Sequence, residues 1–307
     1  MPISLVECVP NFSEGRRLEV LARLADAVRR VQGARLLDVS ADPDHNRVVV
    51  TFVGRPEAVL DAAYQSAATA VSQIDLRTHR GAHPRIGAVD VIPFVPLYDI
   101  SLDACAALAR RLGEVLAARL DLPVYLYGAA ATGPERRTLA AIRRGGFEGL
   151  GEAIRTPSRR PDFGPGRVHP AAGAVAVGAR GVLIAMNVDL DSTDLAAARK
   201  IARTVRESSG GLPAVQAMGV MLPSRGLVQV SMNLLDYRRT SPLAAFECVA
   251  REATRLGIEV AAGELIGCAP AEALPPDPVR TLRLRSLRPE QILDPAGLAR
   301  ELGGGDP

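Results

Sequence analysis

Two of the chain's four histidines, His79 and His83, stand four residues apart. On a helix this spacing would bring both imidazoles to one face, where they could hold a metal ion. Gly81 lies between them and Pro84 follows directly, which disfavours a continuous helix. No glutamate occupies the position that a zinc-hydrolase motif requires. We therefore predict a loop here, and no metal site.

The predicted loop carries Arg77, Arg80 and Arg85 around His83. Nearby positive charge keeps an imidazole neutral, and a neutral imidazole can accept a proton at physiological pH. Together with Arg47, the guanidinium groups also suit a carboxylate or a phosphate ligand. The pattern therefore predicts a general base in an anion-binding loop. The alternative interpretation is a solvated histidine in a basic surface loop.

Other common kinds of site lack their motifs. The chain contains neither a GxxxxGK[ST] phosphate loop, nor a GxGxxG after a strand, nor a GxSxG nucleophile motif. Its 37 basic and 34 acidic residues leave a net charge of +3, and the low aromatic content of 4% disfavours nucleic-acid binding. The four cysteines are dispersed, which predicts reduced core residues.

No membrane or secretion signal is apparent in the pattern. The most apolar stretch, residues 171–190, contains Arg180 and Asp189, and we interpret it as two strands rather than a membrane span. The first residues lack a basic segment followed by an apolar one, as a secretory signal would have. We expect a cytoplasmic protein without a membrane or nucleic-acid partner.

The elements that must position these residues follow one order twice, β-α-β-β-α-β, with an added α-β in the first half. Pro93 interrupts the strand predicted over 88–96, which favours an edge or irregular position. Ser192 or Thr193 is the expected cap of the first helix in the second half. The remaining predicted strands cover 3–9, 34–40, 47–53, 124–127, 181–190, 215–222, 227–235 and 258–266, and the remaining helices cover 18–31, 56–71, 101–119 and 242–256.

This order is typical of the split βαβ, or ferredoxin-like, unit. The predicted fold class is α/β (α+β), with two ferredoxin-like βαββαβ subdomains side by side and a ligand cleft between them. We place the subdomains at 1–178 and 179–300, with a flexible tail at 301–307. Between the two repeats, residues 156–173 are rich in Pro, Gly and Arg, and two interpretations stay open: a plain connector or part of a ligand site.

Seven segments, in order and over nearly the whole chain, resemble the formiminotransferase domain. They are VECVPNFSEG (6–15), LLDVSADPDHNRVVVTFVG (36–54), HRGAHPRIGAVDVIPFVP (79–96), PVYLYG (123–128), PDFGP (161–165), GARGVLIAMNV (178–188) and VQVSMNLLDY (228–237). The resemblance implies two ferredoxin-like subdomains, and it extends to no cyclodeaminase domain.

The same resemblance implies an enzyme of histidine degradation. It would transfer the formimino group of N-formimino-L-glutamate to N5 of tetrahydrofolate, a co-substrate, with formiminoglutamate and folate as its small-molecule partners and a homodimer as its assembly. The HPR motif makes His83 the implied catalytic residue. The implied folate-binding segment consists of Gly164, Pro165, Gly166, Arg167, Val168, His169, Pro170, Ala171, Ala172 and Gly173. Several members carry an aromatic residue in this segment where this chain has Ala172.

Further polar residues stand at predicted strand ends or in the His83 loop and are candidates for the cleft. For two of them, Asn11 and Asp38, the alternative is that they satisfy backbone groups in turns. The candidates are Asn11, Asp38, Asn46, Arg47, His79 and Arg85. Two alternative functions remain: formyl transfer between 5-formyltetrahydrofolate and glutamate, and folate binding without catalysis.

Overall fold

The computed structural model describes residues 3–303 as nine helices and thirteen strands. The strands are β1 (Leu5–Cys8), β2 (Asn11–Phe12), β3 (Ala34–Asp42), β4 (Arg47–Gly54), β5 (Val89–Tyr98), β6 (Val124–Gly128), β7 (Val175–Ala179), β8 (Ile184–Leu190), β9 (Val215–Leu222), β10 (Leu227–Leu234), β11 (Val260–Ile266), β12 (Ala269–Pro270) and β13 (Ile292–Leu293). The helices are α1 (Leu18–Arg29), α2 (Pro56–Gln73), α3 (Leu102–Leu120), α4 (Leu139–Ile142), α5 (Gly146–Ala153), α6 (Leu195–Val205), α7 (Pro242–Arg255), α8 (Pro278–Thr281) and α9 (Pro295–Gly303).

The described residues form two compact units. The first contains the chain up to Arg180 together with the helix that begins at Pro295, and the second spans Gly181–Asp294. The Pro/Gly/Arg-rich stretch 156–173 therefore belongs to the first unit. Of the segment 301–307, residues 301–303 are the end of α9, and 304–307 lie outside the described residues.

A seven-stranded mixed sheet organises the first unit. Its strands run in the order β1-β4-β2-β5-β7-β6, β3 pairs with β4, and β1 also pairs with β5. Apolar side chains that alternate along β4, such as Val48, Val50 and Phe52, share one buried cluster with the apolar faces of α1, α2 and α3. A smaller cluster joins Tyr125 and Tyr127 of β6 to the segment that contains α4 and α5.

The predicted edge position of the strand around Pro93 is wrong, because β5 lies inside the sheet between β2 and β7. The predicted irregularity is confirmed by register shifts in the pairing of β5 with β1 and with β2. Pro93 lies beside the break between β1 and β2, where its carbonyl accepts from the Val9 N–H at 3.3 Å. The missing N–H of proline therefore falls where the ladder is already interrupted.

The second unit repeats the order βαββαβ in an antiparallel sheet of four strands, β11-β8-β10-β9. Its core lies between this sheet and the helices α6 and α7. The predicted cap of α6 is wrong: Asp194, not Ser192 or Thr193, accepts hydrogen bonds from the N–H groups of Ala196 and Ala197. A carboxylate there also interacts favourably with the helix dipole.

These findings confirm the α/β class. The four cysteines are buried and free of disulfide bonds, as their dispersal predicts. Among residues 3–303, no helix is long and apolar enough to cross a membrane.

Candidate active site

His83 lies half-buried beside Arg47 and Asn11. Asn11 of β2 pairs with Val49 of β4, so its side chain lies on the same sheet face as that of Arg47, two residues before Val49. Nη1 of Arg47 lies 3.1 Å from Oδ1 of Asn11 and 3.0 Å from Nε2 of His83. Arginine has no acceptor, so Nε2 of His83 accepts this hydrogen bond and the proton of the neutral ring is on Nδ1.

Asn46 connects the His83 loop to two other loops. Its Oδ1 accepts from the Gly15 N–H, and its Nδ2 donates to the Arg80 carbonyl, each at 2.9 Å. Its own carbonyl lies 2.9 Å from Nε2 of buried His79. The backbone of Asn46 has a φ of 48°, a left-handed conformation that asparagine tolerates better than most residues. One side chain thus holds the loop that carries His83 against the start of β4.

Burial is the first cause that lowers the pKa of His83 well below its usual value, and Arg47 is the next. Arg143, His45 and His79 add smaller contributions in the same direction, and the rings of His45 and His83 are 6.2 Å apart. The predicted neutral state of His83 therefore has support, but its cause differs from the expected one. Arg77, Arg80 and Arg85 of the His83 loop are not among these causes of the lowered pKa.

Carboxylates already pair with two of the loop arginines that were expected to form the anion site. Arg77 forms an ion pair with Asp75, and Arg85 donates to Glu148 at 2.8 Å. Arg85 also donates from Nε to Nδ1 of His79 at 2.9 Å. His79 then carries its proton on Nε2, and burial lowers its pKa.

The C-terminal part of the predicted folate-binding segment is bonded to the residues that follow the His83 loop. Ala174 N–H donates to the Ile86 carbonyl at 3.0 Å, and Ala88 N–H donates to the Ala172 carbonyl at 2.9 Å. Within the segment, Nδ1 of His169 accepts from the N–H groups of Ala171 and Ala172. Two segments far apart in the sequence are thereby joined backbone to backbone.

Other predicted residues have local partners. Arg167 is exposed and forms an ion pair with Asp121 at 2.6 Å, while the carboxylate of buried Asp38 accepts from the Ser40 hydroxyl. Asn11 donates to the Val9 carbonyl, which satisfies a backbone group as the alternative interpretation expects, and its Oδ1 also accepts from Arg47. The structure thus brings Asn11, Arg47 and His83 into contact, beside a second network of Asn46, His79 and Arg85.

Sequence reasoning missed Arg143 and Asp90. Arg143, at the end of α4, donates from Nη2 to the buried carboxylate of Asp90, which also accepts from the Ile86 N–H at 2.8 Å. A carboxylate inside the apolar strand AVDVIPFVP was a usable signal, since an aspartate is rarely buried without a partner.

Within the described chain, no group of three or more His, Cys, Asp or Glu side chains is arranged to hold a metal ion. The polar groups around His83 are instead nitrogen donors, which suit an anionic ligand.

Comparisons with known proteins match this chain along almost its whole length. Residues 5–180 match the model of the formiminotransferase domain's N-terminal subdomain, and residues 185–276 match that of the formiminotransferase domain. The chain is 46% identical over 274 residues to a glutamate formimidoyltransferase of Thermoplasma acidophilum, with 89% of this chain and 90% of that protein covered.

Two further relatives give the same result. The identity is 43% to a glutamate formimidoyltransferase of Streptococcus pyogenes serotype M1, with 88% of this chain and 90% of that protein covered. It is 46% to the formimidoyltransferase-cyclodeaminase of Rattus norvegicus, where the match covers 88% of this chain and 51% of the rat protein. The chain therefore belongs to the formiminotransferase family.

Proposed function

We propose that this protein is a glutamate formimidoyltransferase, which transfers the formimino group of N-formimino-L-glutamate to N5 of tetrahydrofolate in histidine degradation. Membership of the family and the similarity to two proteins of that name support the reaction. The observation that carries the mechanism is His83, a neutral imidazole whose Nε2 lies 3.0 Å from a guanidinium nitrogen of Arg47.

In this proposal His83 acts as base and then as acid. N5 attacks the amidine carbon of the donor and forms a C–N bond, while Nε2 of His83 takes the proton from N5. The imidazolium then gives this proton to the glutamate nitrogen, the bond from that nitrogen to carbon breaks, and 5-formiminotetrahydrofolate and glutamate remain. Such proton transfer contributes roughly 10²–10⁴-fold. Positioning of the two substrates supplies the rest.

Arg47 has to leave Nε2 before this nitrogen can accept a proton. A neutral imidazole has one acceptor nitrogen, and Arg47 donates to it at 3.0 Å. A carboxylate of the donor is a stronger partner for a guanidinium than a neutral nitrogen is. We therefore propose that Arg47 binds the donor and that this movement frees the base.

The folate-binding role of residues 164–173 is part of the same proposal. It is supported by the hydrogen bonds that join Ala172 and Ala174 to the residues just after the His83 loop. We also propose a ferredoxin-like architecture, which the order β11-β8-β10-β9 of the second unit supports. The homodimer stays a prediction of the resemblance, and the cytoplasmic location stays a prediction from the sequence pattern.

The reaction is tested by offering N-formimino-L-glutamate and N-formyl-L-glutamate separately to the purified protein with tetrahydrofolate. The product is measured after acid conversion to 5,10-methenyltetrahydrofolate. We expect turnover with the formimino donor. Turnover with the formyl donor alone would replace the proposal by the formyl transferase, and folate binding without turnover of either donor would leave a binding protein.

The pH dependence of the reaction follows from the lowered pKa of His83. Between about pH 8 and pH 6.5 the imidazole stays neutral, so we expect kcat/KM to stay level there and to fall only at lower pH. The unfolded state binds this proton first, near its ordinary pKa of 6.5, so the free energy of unfolding decreases as the pH falls below that value.

A pH profile of kcat/KM for the wild type and for Arg47→Gln checks this. The variant should have lower activity at every pH. Its fall in kcat/KM on the acidic side should occur at a higher pH than in the wild type, because one of the cations beside His83 is gone. This fall should still occur below pH 6.5, since burial lowers the pKa of His83 more than Arg47 does. A fall in the wild-type kcat/KM that is centred at or above pH 6.5 would contradict the assignment of His83 as the general base.

A further inference from the structure

Arg143 comes from a different part of the chain than His83, but the Asp90 carboxylate that it contacts also binds the backbone of Ile86, three residues after His83. Arg143 follows α4 directly, whereas His83 precedes β5. Its positive charge lowers the pKa of His83, after burial and Arg47, and also acts on the buried hydroxyl of Tyr127. Arg143 and Arg47 are thus the two arginines whose charges act on His83.

The position of Arg143 is held by a single buried carboxylate. Nη2 of Arg143 donates to Oδ2 of Asp90, whose side chain is 3% exposed, while that of Arg143 is 15% exposed. Oδ1 of Asp90 accepts from the Ile86 N–H at 2.8 Å, and Ile86 begins the return from the His83 loop to β5. The Asp90 carboxylate therefore orients both the guanidinium of Arg143 and the end of the His83 loop.

Arg143 retains unused donors. Its Nε is buried without a hydrogen-bond partner among the described residues, and Asp90 contacts Nη2 alone. A guanidinium has five N–H groups, and a buried donor that is left unpaired costs free energy. In Arg85, by contrast, Nε contacts His79 and both Nη atoms contact Glu148, while in Arg77 both Nε and Nη2 contact Asp75.

From this geometry we infer that Arg143 forms a second carboxylate subsite beside His83, separate from that of Arg47, and that the two subsites together select a dicarboxylic donor. The inference rests on the proposed function and deepens it. N-formimino-L-glutamate carries an α- and a γ-carboxylate, and each arginine binds one of them. A donor with only one carboxylate would leave one guanidinium without its partner. The site would therefore discriminate against such donors by charge rather than by shape.

The test compares Arg143→Gln and Arg143→Lys with the matched control Arg144→Gln. Arg144 is the next residue and is exposed, and its side chain forms no hydrogen bond or ion pair with any of residues 3–303. Three donors are offered: N-formimino-L-glutamate, N-formimino-4-aminobutyrate, which lacks the α-carboxylate, and N-formimino-2-aminobutyrate, which lacks the γ-carboxylate. The readouts are KM and kcat for each donor, together with the pH profile of kcat/KM.

For N-formimino-L-glutamate, Arg143→Gln should lower kcat/KM by about 10- to 100-fold, the range for a lost hydrogen bond to a charged group, chiefly through KM. For the one truncated donor that lacks the carboxylate bound by Arg143, the substitution should change little. Arg143→Lys should recover part of the loss. For Arg143→Gln, the fall in kcat/KM on the acidic side should occur at a higher pH than in the wild type. Arg144→Gln should behave as the wild type does.

An equal loss on all three donors would overturn the inference, since Arg143 would then act only by holding Asp90 and the loop. Asp90→Asn would in that case reproduce the effect of Arg143→Gln. Calorimetric binding of N-formimino-L-glutamate in the absence of folate separates this failure from a failure of the proposed reaction. Weaker binding to Arg143→Gln but not to Arg144→Gln supports the subsite even where the wild type shows no turnover, and equal binding to all variants overturns it.

Discussion

Replacing His83 with alanine should lower kcat for formimino transfer by about 10²–10⁴-fold, because the variant loses the group that moves the proton from N5 to the leaving nitrogen. Binding of folate should be retained, since Ala171 and Ala172 of the proposed folate segment accept from Leu76 and Ala88, and no hydrogen bond among the described residues joins the segment to His83. The fold should also survive. Arg47 keeps its 3.1 Å contact with Asn11 when the imidazole is removed.

Single-turnover kinetics and calorimetric folate binding check this result together. The matched control is Thr78→Ala, a change in the same loop at an exposed position whose hydroxyl donates to the Asp75 carbonyl. The control should keep nearly full activity. If His83→Ala retains wild-type turnover, His83 has no role in the reaction; if the variant loses folate affinity and kcat together, His83 positions the pterin instead of moving a proton.

Gly173→Ala should have the largest effect on stability. Gly173 has a φ of +73°, and a Cβ at this position would lie 2.1 Å from the Ile86 carbonyl oxygen. The left-handed backbone alone costs an alanine about 1–2 kcal/mol. The displaced carbonyl also accepts the Ala174 N–H, so we expect a total loss of roughly 3 kcal/mol or more in the free energy of unfolding. Activity should fall as well, because Ile86 follows the His83 loop.

Gly166→Ala is the control within the same ten-residue segment. A Cβ at Gly166 would meet no atom within 4 Å, so the free energy of unfolding should change by less than about 0.5 kcal/mol. Urea unfolding followed by tyrosine fluorescence suits the comparison, since the first unit holds Tyr64, Tyr98, Tyr125 and Tyr127 of the five tyrosines. Equal stability of the two variants would contradict the close backbone contact at Gly173.

Local patterns determined most of the elements of this protein. The strand at Arg47–Gly54 and the helix at Pro56–Gln73 lie where alternating and helical spacing predicted them, because apolar periodicity reflects which face of an element is buried. Pro56 begins the second of these elements, as its fixed φ favours. The position of a strand within the sheet, in contrast, did not follow from local patterns. Pro93 argued for an edge or irregular strand, and β5 is irregular but interior, because the break between β1 and β2 accommodates the missing donor.

Seven segments, one of which contains His83, indicated the family from sequence alone, and with it the reaction that we propose. Which cations surround that histidine was decided by the tertiary structure. Arg77 and Arg85 lie close to His83 along the chain, but Asp75 and Glu148 bind them. Arg143 lies far along the chain, but α4 and Asp90 bring it near. Charge interactions depend on distance in space and on burial, and residue order alone contains neither.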